Sequence, residues 1–255
     1  MTAAVFFGCA MLAFGPPLAL FLFTVADDAV KIILLIASSF FWLVSHLLTS
    51  AIWLIVKAST SDPAAYLSIG VIISVLLQET FRFLLYLVLK RAEKGLKKLT
   101  EDENHVLLEN KNVLAYVAGL GYGLVSGAFS LVNLLADSTG PGTVGLHNEA
   151  KDFFIVSSAF TLAFILLHTG WSVLFFRFLD TRNYLGVAYV VLSHLAVSLV
   201  TLLNAQQLYA VSLTIVYAVT VVTGIWAFSA AGATQGSFKR FLTPKVQSTI
   251  VTSDL

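Results

Sequence analysis

The chain has 255 residues, of which 58% are hydrophobic and 11% charged, with a mean hydropathy of +0.89 and a net charge of +1 at pH 7. Such a composition excludes an ordinary soluble domain, because the apolar residues come in blocks of about twenty with no remainder able to build a separate core. Near-neutral charge without a basic tract or aromatic-basic repeat excludes a nucleic-acid binder, and the single cysteine, Cys9, excludes an internal disulfide or a thiolate metal centre.

Seven membrane-spanning helices are predicted in chain order, over about residues 5–26, 32–56, 64–89, 113–136, 153–178, 184–203 and 208–232, each near the roughly 20 residues that cross a bilayer. The first lacks the basic n-region of a cleaved signal and is longer than an h-region, so it is expected to stay as a helix, bent at Gly15-Pro16-Pro17. The third is followed by Lys90, Arg91, Lys94, Lys97 and Lys98 and then by Glu101-Asp102-Glu103. Its amphipathic spacing predicts a helical extension into the headgroup layer, with the cations meeting solvent and lipid. Gly140-Pro141-Gly142 predicts a turn in the loop between the fourth and fifth spans. Residues 233–255, rich in Ser and Thr, are expected to form a flexible tail.

Orientation follows from the basic residues. With the N-terminus on the extracellular or lumenal side, twelve of the fifteen Lys and Arg fall in cytosolic segments, and the odd number of spans puts the C-terminus in the cytosol. The predicted fold is therefore an all-α seven-helix transmembrane bundle in residues 1–232.

Within the fourth span, Ala115, Gly119, Gly123 and Gly127 recur every four residues, a small-residue strip about 18 Å long at 1.5 Å per residue. Removing side chains lets a second backbone approach where lipid supplies no hydrophobic drive between helices. Sequence leaves open whether that second helix is internal or belongs to another protein.

Ionisable groups inside spans are costly unless partnered, and so mark candidate sites. The third span holds Gln78, Glu79 and Arg82, the fifth His168 and the sixth His194. Glu79, His168 and His194 each lie ten residues from the cytosolic end of their span, about 15 Å deep, which predicts a common polar layer shared with Gly123. Glu79 and Arg82 are spaced to pair on one helix face, and Arg82 is near enough to the cytosol to snorkel. His46 of the second span lies nearer the outer side and need not belong to this layer. Three readings compete: hydrogen-bonded packing residues, a polar cavity receiving a partner segment, and a metal-dependent hydrolase using His168, His194 and Glu79. No His-x-x-x-His, His-Glu-x-x-His, Gly-x-Ser-x-Gly or paired intramembrane aspartate supports catalysis, and no internal repeat supports a transporter.

The residues already named sit in segments that resemble a known family in order along the chain. These include MTAAVFFGCAMLAFGPPLALFLFTVA at the start, SVLLQETFRF over 74–83, YVAGLGYGLVSGAFSLVNLLADSTGPGTVGLH over 116–147, ILLHTGWSVLFF over 165–176 and SHLAVS over 193–198. They are similar to the anterior-pharynx-defective (Aph) subunit of gamma-secretase across residues 1–232. The resemblance implies a non-catalytic scaffold without a cofactor. Its implied partners are nicastrin, presenilin, the presenilin enhancer subunit and membrane lipid. It also implies a role in processing Notch and amyloid precursor protein, and residence in the endoplasmic reticulum, Golgi, plasma membrane and endosomes. The family's glycine motif maps onto Gly119, Gly123 and Gly127, where it supports assembly. Its histidines map onto His168 and His194, linked with presenilin association, beside Glu79, Gln78 and Arg82. The resemblance further implies that the presenilin C-terminus sits in a pocket of the bundle and that nicastrin's single helix packs on the later helices.

Overall fold

The computed structural model describes residues 3–99, 111–139 and 150–232, and all of the regular structure among them is helical. Seven long helices follow in order: α1 (Ala3–Thr24), α2 (Ala29–Ser59), α3 (Pro63–Leu99), α4 (Lys111–Thr139), α5 (Ala150–Asp180), α6 (Tyr184–Val200) and α7 (Tyr209–Ala230). A short 3-10 helix, Thr201–Gln206, joins α6 to α7. Each of the seven is long and apolar enough to cross a membrane. α1 runs on through Pro16 and Pro17, and α3 continues beyond its apolar stretch to Leu99, the extension its spacing predicts. The acidic turn at 101–103, the Gly140-Pro141-Gly142 turn and the tail from residue 233 lie outside the described residues.

Local chemistry fixes the turns. Asp28 caps α2 by accepting from the amides of Val30 at 2.8 Å and Lys31 at 3.4 Å, satisfying donors that have no intrahelical partner. The Lys31 ammonium reaches back to Thr24 O at 3.0 Å, holding the end of α1 against the start of α2. Between α5 and α6 the chain reverses through Arg182 at φ 56°, and Asn183 accepts from the Gly186 amide at 3.1 Å. A side chain at Gly186 would meet the Phe178 ring at 2.5 Å, so glycine is what allows this tight reversal.

α5 is the central post. It packs along α4 and also touches α1, α6 and α7; α2 covers α4, and α3 bridges from α2 to α6. The core runs down this post through Ile165, Leu167, Trp171, Leu174 and Phe178, with Leu120 and Tyr122 of α4 pressed on it. Large apolar side chains exposed on the outward faces, as at Ile33, Leu47 and Leu54 of α2, are what a helix solvated by acyl chains presents.

One end of the bundle is tied by charge. Asp180, at the end of α5, pairs with Lys90 of α3, lies 3.9 Å from the Lys111 ammonium of α4, and accepts from the Tyr86 hydroxyl at 2.7 Å. Because the pair is partly exposed, Asp180→Asn is expected to lower stability by about 1 kcal/mol or less. Thermal unfolding in detergent should show a loss that shrinks at high salt.

Candidate functional site

Three helices deliver the four ionisable groups of the predicted polar layer to one place. α3 carries Glu79 and Arg82 on adjacent turns, α5 carries His168 and α6 carries His194, all at most 5% exposed. Of the two courses open to Arg82, pairing with Glu79 and snorkelling to the end of its span, the structure has the first: the side chain is fully buried, with its partners in the interior. Its Nη2 is 2.9 Å from Nδ1 of His168 and its Nη1 is 3.2 Å from Oε1 of Glu79. Guanidinium nitrogens only donate, so His168 Nδ1 accepts and its proton sits on Nε2. His194 Nδ1 lies 2.6 Å from the same Glu79 oxygen and donates to it. The two imidazoles stand 5.1 Å apart at 90°.

Aromatic residues that the sequence did not single out frame this cluster. Tyr122 donates its hydroxyl to Gln78 O at 2.6 Å, and the Arg82 guanidinium lies 5.1 Å from the centre of its ring. Trp42 donates to Gln78 Oε1 at 3.2 Å, and Gln78 in turn donates to Ser74 Oγ at 2.9 Å. Trp171 stacks on His194 at 4.4 Å and donates to Ser193 Oγ at 3.0 Å. Tyr122 sits beside Gly123 and Trp171 one turn after His168; an O–H or N–H in an apolar span needs a partner, and that was the available signal. His46 stacks on Trp42 at 4.8 Å, outside the cluster.

Above the histidines lies a cavity of about 360 Å³ whose walls include Gln78, Ser126, Thr161, His168, His194 and Ser198. It adjoins a recess of about 390 Å³ beside the 3-10 helix, with Ser157, Phe160, Thr201 and Asn204 lining both. An open path, apolar beside the 3-10 helix and more polar deeper in, thus runs from the C-terminal end of α6 down to the imidazoles. Glu79 and Arg82 lie behind them and do not line the cavity. Glu79 Oε2, Arg82 Nε and Arg82 Nη1 make no aligned hydrogen bond, although Nη1 keeps its ionic contact with Glu79.

The glycine strip is filled from within. A Cβ on Gly119 would lie 2.8 Å from Thr169 O, one on Gly123 2.6 Å from Ile165 O, and one on Gly127 2.6 Å from Ile165 Cδ1. The strip is therefore the seam between α4 and α5 of one chain, and a second polypeptide does not lie along it. A further glycine, Gly121, opposes α2, where a Cβ would clash with Leu35 O and Ser38 Oγ; Ser39 donates to Gly121 O at 2.9 Å. The alternation of glycines in GLGYG lets α4 approach two neighbours at once.

A second concavity, about 620 Å³ and mostly apolar, opens between α1 and α7 with α5 as its floor; Leu20, Tyr116, Leu166, Gly170, Val173 and Gly224 are among its walls. A Cβ added at Gly224 would meet nothing within 4 Å. Among the described residues no three His, Cys, Asp or Glu side chains are grouped to hold a metal. In the cluster itself, the position facing His168 Nδ1 is taken by a guanidinium, a cation that excludes another.

Residues 4–234 match the family model described as Aph-1 protein. The chain is 51% identical over 243 residues to gamma-secretase subunit Aph-1 of Drosophila melanogaster, covering 95% of this chain and 99% of that protein. It is 46% identical over 250 residues to gamma-secretase subunit Aph-1b of Danio rerio, covering 96% and 95%. Gamma-secretase subunit aph-1 of Caenorhabditis elegans is 31% identical over 253 residues, covering 90% and 81%. With its seven apolar helices and a match spanning nearly its whole length, the chain belongs to the Aph-1 protein family.

Proposed function

We propose that this chain is a non-catalytic, membrane-embedded scaffold of the gamma-secretase complex, with its N-terminus extracellular or lumenal and its C-terminus cytosolic. Its work is to hold partner segments by shape and hydrogen bonding. The observation that carries this reading is the buried quartet of Glu79, Arg82, His168 and His194, whose charged members are turned toward one another and whose imidazoles alone face a cavity. The carboxylate that the hydrolase reading needs beside the two histidines does not face the cavity, being committed to Arg82 and His194.

In this reading the polar cavity receives the C-terminal segment of presenilin, with His168 Nε2–H and the Ser and Thr hydroxyls as its hydrogen-bonding walls. The apolar groove over α5 receives the single helix of nicastrin. Gly119, Gly123 and Gly127 act through the α4–α5 seam, which sets the spacing of the helices that wall both sites. The presenilin enhancer subunit joins the same complex, which processes Notch and amyloid precursor protein. The complex passes from endoplasmic reticulum and Golgi to plasma membrane and endosomes.

Changing His168 and His194 together to alanine is expected to lower presenilin co-purification several-fold while the protein still inserts in the membrane. Unchanged presenilin recovery, or stoichiometric zinc in the purified wild-type chain, would sink the scaffold reading. Gly224→Leu is expected to lower nicastrin recovery with no loss of thermal stability in the isolated subunit, since its side chain enters open groove.

A further inference from the structure

α3 is 37 residues long, about 55 Å at 1.5 Å per residue, whereas roughly 20 residues cross the hydrocarbon core. Its last ten residues, nearly three turns, carry five cations, Lys90, Arg91, Lys94, Lys97 and Lys98, against one acid, Glu93. At roughly 100° per residue these five positions fall within an arc of about 120°, with Glu93 outside it. Leu89, Ala92, Leu96 and Leu99 occupy the opposite side of the helix by the same register. Two features hold the arc in place. The helix emerges from the bundle without a break, and the Lys90–Asp180–Lys111 contacts tie its base to α4 and α5. Arg91 and Lys94 are exposed, and Lys111, on the neighbouring helix, is 52% exposed and adds to the same end of the molecule.

We propose that this arc is a docking surface for anionic phospholipid headgroups of the leaflet from which α3 emerges. A ridge of cations rooted at the end of a membrane span stands at headgroup depth, where each Lys or Arg is attracted by the surface charge of the leaflet. Phosphate oxygens complement guanidinium and ammonium donors. The identification of that leaflet as cytosolic rests on the orientation proposed above; the binding chemistry does not.

The test is binding of phosphatidylserine to the purified full chain in nanodiscs, comparing phosphatidylcholine discs with and without it. Because both faces of the disc have the same composition, the outcome does not depend on orientation, which accessibility labelling of Arg91→Cys in sealed vesicles checks separately. The wild type is expected to retain phosphatidylserine through lipid exchange, with retention falling as salt rises. Arg91→Gln/Lys94→Gln/Lys97→Gln/Lys98→Gln is expected to weaken that retention at least about tenfold. Arg91→Gln/Lys94→Gln, which touches exposed positions only, should give a smaller loss with unchanged melting temperature. Lys57→Gln, at the opposite end of the bundle over Trp53, should change nothing. Equal retention by wild type and the fourfold variant overturns the proposal, as does displacement of the lipid by a polyglutamate peptide at matched charge, which assigns the arc to an acidic protein segment instead.

Discussion

Replacing Arg82 with methionine is expected to destabilise the bundle by about 3–5 kcal/mol, because the substitution leaves the Glu79 carboxylate buried without its cation. Glu79 is 5% exposed and Arg82 is fully buried, so neither solvent nor headgroups can take over the lost partner. His168 Nδ1 loses its donor in the same step, adding the cost of an unmade hydrogen bond. Glu79→Gln together with Arg82→Met removes both charges while the Gln oxygen can still accept from His194. The double variant is expected to be more stable than Arg82→Met alone, the coupling that a double-mutant cycle isolates. Equilibrium unfolding in detergent would read all three values. Additive losses would mean that the two side chains do not share one network.

Gly123→Leu is the second large effect. Its Cβ position is 2.6 Å from Ile165 O, and a carbonyl in the middle of α5 cannot swing aside as a flexible side chain can. The α4–α5 seam must open, at a cost on the order of 3 kcal/mol, the upper range for overpacking. Opening moves Tyr122 and His168, whose rings lie 5.5 Å apart, and so spoils the cavity as well as the seam. Gly123→Leu is therefore expected to lower both melting temperature and yield of the assembled complex. Gly224→Leu separates the two readouts, since stability there should be unchanged and only nicastrin recovery should fall. A stable Gly123→Leu subunit that assembles normally would remove the seam from the account.

Much of this was legible in the sequence because membrane spans announce themselves by length and hydropathy, and all seven predicted spans overlap the seven helices. That Glu79, His168 and His194 could meet was also legible, because residue count places each of them at the same distance from the end of its span, and their side chains do touch. What counting cannot supply is the azimuth between helices. For that reason the partner of the glycine strip stayed open between an internal helix and another protein, and the contact of Arg82 with His168 was not foreseen. Tyr122 and Trp42 escaped notice for a related reason. Their polar atoms meet Gln78 only after α2, α3 and α4 have packed, and nothing in their own neighbours fixes that meeting.

The central claim is that the cavity above the paired histidines is a seat for presenilin. Placing a photo-crosslinking residue at Thr161 or Ser198 on the cavity wall, in the assembled complex, tests it most directly. The account predicts an adduct with the C-terminal fragment of presenilin from these positions, and an adduct with nicastrin rather than presenilin from Gly224. An intact complex in which neither cavity position captures presenilin would contradict it.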